Sequence, residues 1–247
     1  DRLATSRRFL DLVLTSFVGG VPSVPAQGMQ AIPEQLRDAL PPGTVRCGVR
    51  VSAVSEGLVQ SDAGDFAARA VIVATDPRTA GKLLPGLHVP PGRDVTTWYY
   101  VADAAPNLLT DGEPLLVVDG RAAHGPVINT VVLTHAAPTY ASDGRVLVSA
   151  SALGLHEDSA TESAVRAHLA ALYGVGTRGW EHVATYAVPY ALPAMLPPLT
   201  VRQPVALGEG LFVAGDHRDT ASIQGAMVSG RRTADAALMR LGLQPVA

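Results

Sequence analysis

Hydrophobic positions along the chain alternate between a helical and a strand period, and each change of period marks an element. "SRRFLDLVLTSF" (6–17) reads as a helix, followed by the Gly/Pro loop "GGVPSVPAQGMQ". "AIPEQLRDAL" (31–40) is a short helix with Pro33 in its first turn, closed by Pro41-Pro42-Gly43. Residues 44–77 carry short strand-like runs with a hairpin-like turn at "SDAGD" (61–65). They end in "AVIVAT" (70–75), whose continuous apolar character predicts a strand buried on both faces. Asp76 and Pro77 then start the helix "DPRTAGKLL". Strand giving way to helix in this manner argues for α/β construction.

From about 90 to 204 the pattern changes. "DVTTWYYVAD", "PLLVVD", "PVINTVVLTHA" and "GRVLVSASAL" are strand-like runs joined by turn residues. A helix over 158–173 and a strand over 181–190 follow. The segment reads as a mixed, largely antiparallel sheet with few helices. Between the last helix and strand lies Gly174-x-Gly176-x-x-Gly179, the spacing of a dinucleotide-binding loop. A phosphate-binding loop of that kind must follow a strand and open a helix, so that backbone N–H groups at the helix N-terminus meet the pyrophosphate. Here the order is reversed, and Gly174 is expected to cap the helix C-terminus.

"GEGLFVAGDHRDTASIQGAMVSGRRTADAALMRLGL" (208–243) predicts a buried strand leaving at Gly215-Asp216, then a helix whose face repeats through Ile223, Met227, Gly230, Ala234, Leu238 and Leu241. Gly215 permits a sharp turn, Asp216 can accept hydrogen bonds from hydroxyls, and Ala221, Ser222, Gly225 and Ala226 let a flat ligand approach the helix start. A helix packed tightly on a strand would also favour such small residues.

With 247 residues, 47% of them hydrophobic, the chain can bury a sizeable core in one large domain or two small ones. Its arginines are scattered and balanced by acids, with a net charge of −3, which argues against nucleic acid as a partner. No apolar run approaches the ~20 residues that cross a bilayer. Cys47 is the only cysteine, which excludes an intrachain disulfide and fits a cytoplasmic, reducing compartment. His88, His124, His135, His156, His168, His182 and His217 contain no H-x-x-x-H pair, so no metal site is expected. No G-x-S-x-G nucleophile elbow occurs either. Asp1 is no initiator methionine, and the chain reads as the later portion of something longer.

Four segments, in order, carry a resemblance: "VPAQGMQAIPEQL", "VRVSAVSEGLVQSDAGDFAARAVIVATDP", "WEHVATYAVPYALP" and "GLFVAGD…ASIQGAMVSGRRTADAAL". Together they resemble the FAD-dependent amine oxidase superfamily, which includes phytoene desaturase-like and protoporphyrinogen oxidase-like enzymes. The resemblance implies oxidation of a C–N or C–C bond of a small-molecule substrate by hydride transfer to flavin. It also implies that Val51 meets the adenine through its main chain and that Asp216, after Gly215, binds the ribityl-phosphate region. By the same resemblance Gln224, Gly225, Ala226 and Met227 present N–H groups to the pyrimidine edge, and Ala74 and Thr75 line the channel.

Trp98, Tyr99, Tyr100, Tyr186 and Tyr190 lie on middle-segment strands as candidates for a substrate cavity, and His217 is a candidate beside Asp216. No general base stands out. Members of the superfamily begin with a βαβ unit whose G-x-G-x-x-G loop holds the pyrophosphate, and no such unit is found here. The expected fold is therefore α/β (α+β mixed): an incomplete FAD-binding domain from 20–90 and 204–247, and a substrate domain from 1–19 and 91–203. The missing N-terminal half would be a partner in the complete protein. The alternative is a non-catalytic binding or assembly module that keeps the oxidoreductase fold.

Overall fold

A computed structural model describes residues 4–105, 108–121, 125–208 and 210–244, so that Asp1 and His124 lie outside the described residues. The chain divides into two compact units, one built from residues 1–19, 43–92 and 192–247 and the other from 20–42 and 93–191. The boundaries differ from those expected for residues 1–19 and 192–203, which fall in the first unit, and for residues 20–42, which fall in the second. Ser6 is buried and donates its N–H to the Met195 carbonyl (2.8 Å), which groups the first helix with the first unit. The Gly/Pro loop instead packs in the second unit, where Tyr140 Oη donates to the Pro25 carbonyl (2.9 Å) and Thr139 Oγ1 to that of Ala26.

In the first unit, helix α1 (Arg7–Gly19) buries none of its residues. The second unit contains the short helix α2 (Ala31–Asp38), likewise without buried residues. Back in the first unit, β1 (Val51–Ser55), β2 (Leu58–Ser61) and β3 (Gly64–Ala67) form an antiparallel sheet, with the 61–65 turn joining the last two strands as expected. Strand β4 (Val71–Val73) follows, leading into α3 (Pro77–Leu83). Asp76 starts α3 by accepting the N–H groups of Arg78 (3.0 Å) and Thr79 (3.1 Å), and Pro77 fills the first helical position, where no N–H is needed.

Hydrogen bonds from Thr79 and Arg78, with the Arg78 charge adding to them, hold the Asp76 carboxyl below its usual pKa. A depressed folded-state pKa contributes stability above the unfolded value of about 3.9, and that stability is lost as pH falls through the folded value. Asp76→Ala is therefore expected to cost about 1 kcal/mol at pH 7. In urea titrations the gap from wild type should close in acid; a gap unchanged at low pH would exclude the charged cap as its origin.

The second unit is a sheet covered by one long helix. Its strands are β5 (Gly92–Ala102), β6 (Leu116–Val117), β7 (Asn129–Val132), β8 (Val146–Leu153) and β9 (Glu181–Pro193), in the order β6-β7-β8-β5-β9. The β6–β7, β7–β8 and β5–β8 pairs are antiparallel. The run "PVINTVVLTHA" leaves the sheet earlier than its pattern suggests, turning into the short helix α4 (Leu133–Ala136). There the Thr134 hydroxyl, in place of a backbone carbonyl, accepts the Leu147 N–H (3.1 Å).

Helix α5 (Ser159–Tyr173) is capped by Asp158, which accepts the Thr161 N–H, and stopped by Gly174 in the left-handed conformation (φ +69°). Val165 and Leu169 of α5 are fully buried with Trp98, Tyr100, Val148 and Ala150 of the sheet. His168 beside them accepts the Val127 N–H at Nδ1 (3.1 Å), which places its proton on Nε2, against the buried Asp119 carboxylate (2.7 Å). This pair ties the segment around Asp119 and Val127 to the helix.

Candidate functional site

Strand β10 (Leu211–Val213) runs parallel to β4, in register from Leu211 opposite Val71 to Val213 opposite Val73. The Ala214 N–H continues the ladder to the Val73 carbonyl (2.9 Å), so the carboxyl ends of both strands emerge side by side. Ala74, Thr75, Gly215 and Asp216 are thereby brought to one edge. Ligands of open α/β sheets bind at such carboxyl ends.

The turn after β10 requires glycine. Gly215 has φ +150°, and a Cβ there would lie 2.5 Å from His217 Nδ1. Asp216–Arg218 then form a single 3-10 turn. Buried Arg218 donates to the Pro204 carbonyl through Nε (3.1 Å) and Nη2. Arg232 reaches the Gln203 carbonyl (2.9 Å) and the Asp219 carboxylate (3.1 Å). Two arginines thus fix the backbone of a loop that exposes little of itself.

Helix α6 (Ile223–Arg240) begins with Ser222, whose hydroxyl accepts the Gly225 N–H (3.0 Å). The N–H groups of Ile223 and Gln224, in the first helical turn, have no backbone acceptor among the described residues. Gln224, Ala226 and Met227 are exposed, while Gly225 is buried.

The buried face of α6 differs from the one its apolar period suggests. Gly225, Ser229, Thr233 and Ala237 face inward at intervals of four, whereas Ile223 and Met227 are 46% and 54% exposed. Polar groups make that face possible. Ser229 Oγ accepts the Gly215 N–H (2.9 Å) and donates to the Gly215 carbonyl (2.7 Å), and the single proton of Thr233 Oγ1 lies between the Ser229 carbonyl of its own helix (2.7 Å) and the Val213 carbonyl (3.1 Å). These two hydroxyls position the Gly215 turn and were missed as site residues. Their i, i+4 spacing in a row with Gly225 was the available signal.

Asp216 is half-buried, and burial raises its carboxyl pKa above the ordinary value. His217 is fully buried in its side chain, with neither ring nitrogen hydrogen-bonded. Burial first, and the Arg218 charge second, push its pKa down to about 4, so the imidazole is neutral at pH 7. Its Nδ1 lies 4.0 Å from Asp216 Oδ1, beyond hydrogen-bond reach. Within the same unit His217 borders a cavity of about 350 Å³ with Pro91, Pro193, Met195, Gln203 and Asp219.

Val51 stands elsewhere in the unit, at the start of β1 and 40% exposed. The tyrosines of the second unit part company. Tyr99 and Tyr186 meet edge to face at 5.9 Å, with Tyr186 59% exposed. Tyr190 follows on the same strand with φ +56°, a conformation uncommon for a bulky residue, and its N–H donates to Asp94 Oδ1 (2.7 Å).

Tyr100 and Trp98 point to the opposite, helix-covered face of β5 and are buried. The Arg166 guanidinium lies over the Tyr100 ring at 4.7 Å. This placement makes Tyr100 a core residue, and Trp98, also buried, borders a cavity of about 310 Å³ with His182, Thr185 and Ala187; successive strand side chains alternate faces, and Tyr99 alone of the three lies on the other side. No helix among the described residues is long and apolar enough to cross a membrane.

The mixed α/β architecture matches that of solved oxidoreductases. The chain belongs to the flavin containing amine oxidoreductase family, whose model matches residues 2–238. A protein from Exiguobacterium sp. 255-15 assigned as a protoporphyrinogen oxidase is similar over 88% of this chain and 52% of its own, at 17% identity and a TM-score of 0.66. A reduced UDP-galactopyranose mutase matches 87% of this chain with 52% of its own, at 13% identity and a TM-score of 0.60. An oxidoreductase from Methanosarcina mazei matches 74% with 47% of its own, at 17% identity and a TM-score of 0.52. The chain thus spans about half the length of these solved structures. No curated protein matches it.

Proposed function

We propose that the chain is part of an FAD-dependent oxidoreductase that oxidises a C–N or C–C bond of a small organic substrate. The observation that carries this reading is the paired carboxyl ends of β4 and β10, where the Gly215 turn, the half-buried Asp216 and the start of α6 converge. The residues present fit a flavin. Asp216 would accept hydrogen bonds from hydroxyls of the ribityl-phosphate region, and the Ile223 and Gln224 N–H groups would hold the pyrimidine edge, where a helix N-terminus favours negative charge, whereas the Gly225 and Ala226 N–H groups are taken by Ser222. Bound FAD supplies a two-electron acceptor for hydride. Val51 meets the adenine, Ala74 and Thr75 line the channel, and Gln224, Gly225, Ala226 and Met227 form the helix start.

In this reading the first unit is the FAD-binding part and the second, with Tyr99, Tyr186 and Tyr190 on or beside its open sheet face, holds substrate. A further half supplies the pyrophosphate loop. The edge of β4 supports that partner: Val71 and Val73 bond toward β10, which leaves the Ile72 N–H and carbonyl directed outward, with the side chain 44% exposed. A two-stranded parallel sheet is too small to stand alone, and an open parallel edge is a template for another strand. A cytoplasmic setting suits the exposed, unpaired Cys47.

The visible spectrum of the purified chain, alone and co-produced with its upstream sequence, followed by acid release of any flavin, tests the reading. Stoichiometric FAD in either preparation supports it. Two colourless preparations would favour a non-catalytic module that keeps the fold.

A further inference from the structure

The open face of the second unit's sheet, away from α5, is not built like an ordinary solvated surface. Strand register lines up Asn129 of β7, Ser151 of β8 and Thr97 of β5 in one row, and Val131, Ser149 and Tyr99 in the next. Val95 pairs with Leu153 on one side of these rows and Val101 with Leu147 on the other. Solvated surfaces collect Lys, Glu, Arg and Asp. None of these positions carries a charge, and all but Leu153 are partly buried. Tyr99 meets Tyr186 edge to face, which adds an aromatic wall on the β9 side.

Hydrogen bonding within the two rows is incomplete. Thr97 Oγ1 and Ser151 Oγ pair with each other at 2.9 Å, which uses one of their two protons. The Asn129 amide, the Ser149 hydroxyl and the Tyr99 hydroxyl make no side-chain hydrogen bond among the described residues, yet none of these atoms is sealed from the surface. Burial first, then Tyr186 and Tyr140, raises the Tyr99 pKa and keeps its hydroxyl a neutral donor. Neighbouring strands lie about 4.8 Å apart, so the row from Asn129 to Thr97 spans about 10 Å. A few placed polar groups in an otherwise apolar lining is the composition of a small-molecule site. An ammonium or carboxylate brought here would lose hydration and meet no opposite charge in these rows. An amide is matched, because the Asn129 side chain donates to its carbonyl and accepts its N–H. We propose that this face selects the uncharged, amide-bearing end of an aromatic substrate, with Asn129 as the residue that reads it. The inference rests on the reading above, which gives the second unit the substrate.

Benzamide, benzylamine and benzoate share a ring and differ in the head group, which makes them the probes. Each is titrated at pH 7 into ¹⁵N-labelled protein co-produced with its upstream half, and the FAD content of the same preparation is measured separately. Benzamide is expected to move the Asn129 side-chain amide signals and to bind about tenfold more tightly than either ion. Asn129→Leu loses about tenfold of that affinity, the equivalent of one ordinary hydrogen bond. Asn129→Asp, of nearly the same shape, reverses the preference toward benzylamine. A residue with only a structural role would weaken all three probes alike.

Tighter binding of benzylamine or benzoate to wild type, Asn129 signals that stay in place with benzamide, or equal benzamide affinity in Asn129→Leu and wild type would each overturn the proposal. Should the variants fail to fold, the ranking of the three probes and the Asn129 signals of wild type decide the matter. Protein that holds FAD and fails these tests leaves the FAD reading intact. Protein that passes them without holding FAD keeps the amide site and overturns the reading beneath it.

Discussion

Gly225→Ala is expected to destabilise the protein by about 3 kcal/mol, the upper end of what an added methyl costs in a packed site. In a solvent-facing helix the same change would stabilise by up to about 1 kcal/mol, because alanine is the better helix former. Crowding outweighs propensity here. A Cβ on Gly225 would sit 2.5 Å from Thr220 Oγ1 and 2.7 Å from the Thr220 carbonyl carbon, and closer still to its carbonyl oxygen. That oxygen cannot simply retreat, since it accepts the Ser222 N–H at 2.7 Å while the Thr220 N–H is held by Asp219 Oδ1 at 3.1 Å.

To admit the methyl group, α6 must lift from the loop. Lifting it strains the Ser222 cap and the two Ser229 bonds that hold the Gly215 turn. The matched control is Gly230→Ala on the same helix, where a Cβ meets nothing within 4 Å. It is expected to raise stability by about 0.5–1 kcal/mol. Urea unfolding of both variants gives the comparison; two changes of the same sign would remove crowding as the explanation. Gly225→Ala is also expected to lose flavin, since the helix start moves with it.

The same helix shows what could and could not be read in the sequence. Its extent and its strand-turn-helix setting were legible, because β10 is apolar and Gly215 and the small residues after it mark the turn. Its buried face was not. A period through Ile223, Met227 and Leu238 is a sound guide when burial is driven by apolar area, but here the inward positions are Gly225, Ser229 and Thr233. Close approach to β10, with two hydroxyls bonded to its end, decides the orientation, and such bonds leave no hydrophobic pattern.

The strands of the second unit show the complementary case. The strand-like run "DVTTWYYVAD" predicted β5, yet only the location of α5 settles which face is covered, and that choice separates Tyr99 from Tyr100. Gly174 needed no tertiary information. Its place after a helical run and before a strand was enough to reject a nucleotide loop, and the left-handed cap at φ +69° is the consequence. His217 is the opposite extreme: its neighbours in sequence are polar and suggest an exposed loop, while its burial comes from the Gly215 turn folding its ring inward.

Asp216→Ala is expected to weaken FAD binding by about 10- to 100-fold, the loss of hydrogen bonds to a charged acceptor, with no loss of folding stability at neutral pH. The second half of that expectation follows from the carboxyl's surroundings. Burial raises its pKa, opposed only by the backbone N–H groups of His217 and of Asp216 itself. A folded-state pKa above the unfolded value of about 3.9 means that the carboxylate costs stability. The cost is absent at pH below that value, grows as pH rises through the folded pKa, and is complete at pH 7.

Removing the carboxyl should therefore leave the flavin-free protein at least as stable as wild type at pH 7, with the two converging below about pH 4. A residue kept for the fold would behave in the opposite way, stabilising at neutral pH and costing something when deleted. Equilibrium dialysis against FAD and urea unfolding at several pH values separate the two roles. Equal FAD affinity in wild type and variant would remove Asp216 from the cofactor site. A variant less stable than wild type at pH 7 would show that the carboxylate is a structural acceptor, and the turn after β10 would then have to be explained as packing alone.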